Sequence, residues 1–219
     1  MNSKIFLLTI TILSSMMVGC TGYKSVHYTD IDSSSRLKKH EGENADHLLY
    51  TWYSGTDWKK YTSIIVEPVQ VYYGDDNEFN GMEQSDRQKL AAYMQVHFKK
   101  ALALQFNEVT MPAANTLRIK LTLTGAATTP QFIGTLTKFD LAGGPYNIIQ
   151  SIRGKEGMLS GSVNYVVEVS DATDGQLLMA YIARQYPNAM DISSSIGTLS
   201  AAETGIDKGA KELAELLKH

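Results

Sequence analysis

One cysteine in 219 residues leaves no internal disulfide to be made. The disulfide-stapled class of small secreted domains is therefore excluded. Proline is scarce, at five residues, and this rules out a proline-rich or collagen-like chain. No apolar run reaches the about 20 residues that a membrane-spanning helix needs. Positive charge is not in surplus: 20 Lys and Arg stand against 23 Asp and Glu, for a net charge of −3. A nucleic-acid surface would show a basic stripe, so nucleic acid is not an expected partner. No fixed-period repeat is present.

The familiar catalytic and metal signatures are also missing. The histidines are His27, His40, His47, His97 and His219, and none belongs to an H-E-x-x-H pair. His97 falls on an apolar helical stripe and reads as a core histidine bonded to a nearby carbonyl. There is no G-x-S-x-G elbow. Gly154-Lys155 lacks the spacing and the following hydroxyl of a phosphate-binding loop. Asp76-x-Glu78-x-Asn80-Gly81 begins like a calcium loop, but its twelfth position is Arg87 where a bidentate carboxylate is needed. The sequence thus offers no catalytic residue, no metal site and no cofactor site, and the chain is expected not to be an enzyme.

What is present begins at the N-terminus, MNSKIFLLTITILSSMMVGC. One lysine, a short apolar core and small residues before a break form the layout of a signal peptide over residues 1–19. Its removal takes away Lys4 and no acidic residue, moving the net charge to −4. The remaining chain is long enough for one domain with a real core. Met17-Val18-Gly19-Cys20 resembles the bacterial lipobox, and the sole cysteine falls where that motif needs it. The resemblance implies that Cys20 becomes the first mature residue, carrying a diacylglyceryl thioether and an N-acyl group. One acyl chain binds only reversibly, at about 0.8 kcal/mol per buried methylene, and three would make a permanent anchor. Thr21, in place of Asp, implies sorting to the outer membrane of a Gram-negative cell.

Residues Thr21 to about Asp46 are polar and mixed in charge, with Ser33-Ser34-Ser35 at their centre. They read as a flexible tether, completing a linker over residues 20–47. A coil of that length spans about 25–30 Å. A single domain is expected over residues 48–218.

Within it, "LLYTWYS" and "YTSIIVEPVQVYYG" are strand-like, and Pro68 demands an edge or a bulge in the second. Ser85 and Gln88 match a capping box. Leu90, Tyr93, Met94, His97, Phe98 and Ala101 mark the buried stripe of a helix from Asp86 to about Gln105. Leu117, Ile119, Leu121 and Leu123 alternate with Arg118, Lys120, Thr122 and Thr124, as in a strand with one polar face. Leu159 to Val169 alternates likewise. Asp174-Gly175 signals a hairpin into "QLLMAYIARQY". Ile206, Ala210, Leu213 and Leu217 mark a last helix. The expected fold is an α+β two-layer sandwich. It has a mainly antiparallel sheet of about five strands and two amphipathic helices on one face, after an N-terminal signal helix and the tether.

Asp57, Trp58, Tyr61, Pro68, Asp86, Arg87, Gln88, Asp171 and Gly175 together resemble the pattern of a bacterial lipoprotein family known as domain of unknown function 3313. The resemblance covers roughly residues 48–218. It implies a location and a shape, not an activity. Trp58 and Tyr61 read as caps on one end of the core rather than as the lining of a groove.

The segment 131–153, QFIGTLTKFDLAGGPYNIIQSIR, is an insertion between two strands that a short turn could have joined. Phe132, Ile133, Leu136 and Phe139 are helically spaced. They form either a contact surface for lipid or a partner protein, or an extra helical layer on the open sheet face. The expected function is that of a lipid-anchored envelope lipoprotein in the outer membrane, facing the periplasm. It has a non-enzymatic binding or assembly role, and the membrane and a possible envelope protein are its partners. Open sheet edges suit such a role. The alternative is an envelope hydrolase or transferase acting on a cell-wall or lipid substrate.

Overall fold

Asp174 and Gly175 close the hairpin around which the sheet is built. The structure, a computed structural model, describes residues 28–127, 161–187 and 199–218. Gly175 adopts φ +74°, a conformation that costs a residue without a Cβ nothing, and its N–H donates to Asp171 O at 2.9 Å. The hairpin joins β7 (Ser162–Asp171) to β8 (Leu177–Gln185). β6 (Thr116–Ala127) pairs antiparallel with β7 on one side, and β2 (Leu48–Tyr53) with β8 on the other.

Four shorter strands complete a mixed sheet. β1 (Lys38–Lys39) lies antiparallel outside β2. β3 (Ser63–Val66) and β4 (Gln70–Val71) both run parallel to β6, and β5 (Asn107–Glu108) runs parallel outside β3. The path is β1-β2-β8-β7-β6-β3-β5, with β4 also on β6. Among the described residues the sheet has eight strands where about five were expected, and it is mixed. The three additions, β1, β4 and β5, are each two residues long, too short for any period to reveal. The parallel pairs require a crossover, which helix α1 (Gln84–Leu102) supplies between β4 and β6.

Pro68 divides what reads as one strand into β3 and β4. The ladder lapses there, and Val69 N–H donates instead to Gln95 Oε1 of α1 at 2.7 Å. The expected capping box is not made. The helix cap is Glu83, without a side-chain bond, so Ser85 falls inside the first turn. The preceding loop sets this start: Asn80 (φ 49°) and Gly81 (φ 83°) turn the chain, and Arg87 Nε donates to Met82 O at 2.9 Å.

Helices α1 and α2 (Ser200–Leu216) cover one face of the sheet. Leu90, Met94, Phe98 and Leu102 of α1 pack with Ile206, Ala210 and Leu213 of α2 on Leu117, Ile119, Leu121, Tyr165, Val167 and Tyr181. His97 is not a core histidine. It is half-buried, stacks on Tyr93 at 3.8 Å and pairs with Asp207 of α2. Tyr93 Oη donates to the same carboxylate at 3.1 Å, so one aspartate joins the two helices. α2 approaches β7 through Gly209, where a Cβ would stand 1.9 Å from Tyr165 Oη.

The opposite face is not open, and residues 28–47 are not a tether. Tyr28, Ile31 and Leu37 are buried on a second apolar cluster with Tyr50, Tyr72, Val166, Ala180 and Ile182. The physical reason is the face itself. Val166, Ala180 and Ile182 would meet water uncovered, and three apolar residues scattered along a polar run suffice to cover them. The polar residues between them find partners. Tyr28 Oη accepts from Thr124 Oγ1 at 2.8 Å, Ser34 Oγ donates to Tyr28 O at 2.6 Å, and Thr29 N–H donates to Asp76 Oδ2 at 3.1 Å. The architecture is thus helices, sheet and an N-terminal strap. The signal peptide over residues 1–19, and the part of the linker before Tyr28, lie outside the described residues.

Tyr28→Ala should lower the unfolding free energy in urea by about 3–5 kcal/mol, the cost of deleting a buried aromatic. A mere tether would show no change. Gly209→Ala should also destabilise, although helix propensity alone would favour alanine by about 1 kcal/mol, because Tyr165 must give way.

Candidate functional site

The sequence-expected site residues Cys20, Phe132, Ile133, Leu136 and Phe139, with the rest of the insertion 131–153, lie outside the described residues. Among the described residues no group of three or more His, Cys, Asp or Glu could hold a metal ion. No described helix is long and apolar enough to cross a membrane. Three arrangements of polar side chains among the described residues bear on the question of a site.

The first gathers residues of the family-like pattern at one end of the sheet. Asp57 Oδ1 accepts from Lys59 N–H at 3.1 Å and starts a 3-10 turn over Trp58–Lys60. Tyr61, buried beneath that turn, donates to Asp171 Oδ2 at 2.8 Å. Asp171 Oδ1 accepts from Thr173 N–H at 2.8 Å inside the β7–β8 hairpin. That backbone bond, with help from Tyr61, holds the Asp171 carboxyl below its ordinary pKa, while burial pushes the Tyr61 phenol up. A carboxylate kept charged and a phenol kept neutral make a fixed hydrogen bond rather than an acid–base pair. These residues lock the hairpin to the strand end, as the reading of Trp58 and Tyr61 as core caps anticipated. Arg87, another of the set, lies over the Phe79 ring at 4.5 Å.

The second lies under α2. His47 Nδ1 is 2.9 Å from Asp46 Oδ1, and its Nε2 is 2.8 Å from Glu212 Oε1. Glu212 also accepts from Gln185, beside the fully buried Tyr165 and Tyr181. The bond to Glu212 raises the His47 pKa, burial opposes it, and the charges of Glu212 and Asp46 add to the rise. Burial pushes both phenols up, so they stay neutral. Neither cavity described below is lined by these residues. The cluster ties the start of β2 to α2.

The third is a groove on the strap side, with a volume of about 260 Å³. Asp30 and Ile31 of the strap form one wall, β4 and the residues after it (Gln70 to Gly74) the other, and Lys120 and Thr122 of β6 the floor. Lys120 Nζ is held between Asp32 Oδ2 at 3.0 Å and Glu168 Oε2 at 3.3 Å. Burial alone would lower its pKa. The hydrogen bond to Asp32 and the charge of Glu168 outweigh it and hold the ammonium above the ordinary lysine value. Glu168 Oε1 accepts from Ser33 N–H at 2.9 Å, so the strap closes over this ion pair. Thr122 is 3 % exposed, and its Oγ1 has no hydrogen-bond partner. A second cavity, of about 350 Å³, lies between the Phe79–Asp86 loop and Ala126–Ala127; Glu83 and Asp86 are its charged residues. The strap-side groove combines charge, hydroxyl and aromatic groups and is the candidate binding site.

Sequence reasoning missed this groove. Arg118, Lys120, Thr122 and Thr124 read as a solvent face, and Asp30 to Ser33 as linker. The available signal was weak: Tyr28, Ile31 and Leu37 interrupt an otherwise polar run.

A family model described as "Protein of unknown function (DUF3313)" matches residues 27–213. No curated protein matches the chain. Among solved structures, the PelC dodecamer from Paraburkholderia phytofirmans is 10% identical, over 71% of this chain and 89% of that one, with a TM-score of 0.35. The hypothetical protein CT253 from Chlamydia trachomatis is 11% identical, over 72% and 96%, with a TM-score of 0.36. A DUF4136 family protein from Bacteroides thetaiotaomicron is 14% identical, over 78% and 97%, with a TM-score of 0.35. Overlaps this loose carry no argument about this chain.

The His47 clamp generates a pH prediction. Its folded pKa lies above the ordinary histidine value of 6.5, so its contribution to stability is complete below that value and is lost as pH rises through the folded pKa. Urea melts across this range should show stability falling with rising pH. His47→Gln should remove that component while the variant stays folded at high pH.

Proposed function

We propose, from the premise that this chain belongs to the DUF3313 family, that it is a lipid-anchored cell-envelope protein with a non-enzymatic binding or assembly role. Cys20 carries the anchor, the outer membrane holds it, and the folded domain faces the periplasm. The observation that carries this reading is the position of Met17-Val18-Gly19-Cys20 relative to the fold. Cys20 stands eight positions before Tyr28, the first buried residue of the strap.

Eight residues reach at most about 29 Å when fully extended. By the r.m.s. measure that gives the longer tether about 25–30 Å, a coil of eight residues spans about 16 Å, so the anchor holds the domain nearer the bilayer. Tyr28 packs edge-on against Tyr72 at 5.2 Å, and Tyr72 lines the strap-side groove. The described strap thus begins, at Tyr28, on the face that holds the groove.

Expression of the parent chain and of Cys20→Ala in a Gram-negative host tests the reading. Intact-mass measurement of the parent should show a chain beginning at Cys20 with the mass of its acyl groups added. Cys20→Ala should lack that mass and leave the membrane fraction. A parent chain of unmodified mass, or one starting elsewhere, overturns the proposal.

A further inference from the structure

We infer that the open edge of β5 is a docking site for an extended, acidic segment of another protein, which joins the sheet as a further strand. The inference names a partner chemistry for the binding role proposed above and rests on that role, though on neither the lipid anchor nor the groove.

The two ends of the sheet are guarded differently. β1 ends the path on one side with the exposed Lys38 and Lys39, and lysines on an edge strand discourage further pairing. β5 ends it on the other side, and its one charged side chain is engaged: Glu108 pairs with Lys99 of α1. Asn107 N–H donates to Thr62 O at 3.0 Å and Val109 N–H to Ile64 O at 2.9 Å, both toward β3. Successive residues of a strand aim their backbone groups to opposite sides, so the N–H and C=O of Glu108 point away from the sheet. Among the described residues no strand lies there to take them.

Apolar and basic groups flank this edge. Leu104, in the turn that leads into β5, is 84 % exposed, and Met111, three residues after Glu108, is 76 % exposed. They are the two most exposed large apolar side chains among the described residues. A chain laid along β5 and covering both would remove that surface from water. Lys59 and Lys60 stand in the 3-10 turn just before Thr62, the residue bonded to Asn107. Lys100 lies on α1, four residues before Leu104. The lysines that form ion pairs among the described residues are Lys89, Lys99, Lys120 and Lys218, so these three ammonium groups are left for a partner's carboxylates. An anion alone would satisfy the lysines. The outward backbone groups of Glu108, with Leu104 and Met111, call for an extended chain with apolar side chains between its acids.

The test is fluorescence anisotropy on the full-length chain in detergent, with fluorescein-labelled EVEVEVE as the probe. KVKVKVK reverses its charge, and EVEPEVE removes its central N–H. Main-chain bonds supply the affinity in strand addition, so a generic probe suffices. EVEVEVE should bind about tenfold more tightly than either counterpart. Glu108→Pro deletes an outward N–H together with the Lys99 pair, and should weaken binding about tenfold, whereas Glu108→Gln deletes the pair alone and should bind as the parent does. Leu104→Ser combined with Met111→Ser should also weaken it about tenfold. Thermal melting of that double variant should match the parent's, since both side chains are exposed. Amide exchange should slow at Glu108 on binding and change little at Asn107, which is already bonded. The inference is overturned if EVEVEVE does not bind, if either counterpart binds as well, or if the double variant binds as the parent does. A parent that is a dimer and is split by Glu108→Pro also overturns it, because the edge then belongs to a second copy. The mass of the same preparation reports the anchor separately, so an acylated chain without peptide binding overturns this inference alone.

Discussion

The Glu168 carboxylate has to be matched by charge before the sheet can be closed on its strap side. It projects from β7, the central strand, and is 6 % exposed. Taking a carboxylate out of water is costly unless a cation and hydrogen-bond donors replace the lost hydration. Lys120, its cross-strand neighbour on β6, supplies the cation, and the Ser33 N–H of the strap supplies a donor. The strap is therefore more than an apolar cover. It completes the solvation of a charge that the sheet cannot solvate alone, and in doing so it forms a wall of the groove.

Asn164 poses the same problem two turns of the pleat away. It is 4 % exposed on the same face of β7. Arg184 Nε donates to its Oδ1 at 2.9 Å, and its own amide donates to Glu78. Glu78 is positioned by a bridge to Gly125, where a Cβ would come within 2.6 Å of the Glu78 side chain. The bulge in β6 at this point and the loop before α1 thus serve one requirement, the pairing of polar groups inside a sheet covered on both faces. On the helix side the logic differs. There β7 presents Val163, Tyr165, Val167 and Val169, and apolar burial suffices.

The pattern that suggested the family marks construction rather than chemistry. Asp57, Tyr61, Asp171 and Gly175 meet at one end of the sheet and fasten a hairpin to a strand end. Every bond that they make in those contacts is internal. The groove instead uses residues with no signature at all. Lys120 and Thr122 belong to an alternation that fits any half-exposed strand, and Asp30 belongs to a run of polar residues that fits any linker.

The sequence by itself determined the long elements and their inward faces. Periodicity over ten or more residues is a local property, and it placed both helices, β6, and the Asp174-Gly175 hairpin. The count of strands, the parallel arm and the capping of α1 were not legible. Two-residue strands carry no period, and a helix start set by the Asn80–Gly81 turn overrides a local capping pattern. The fate of residues 28–47 was decided by tertiary structure alone. Their few apolar side chains gain more from covering Val166, Ala180 and Ile182 than from remaining in water, and that gain exists only once β7 and β8 have paired.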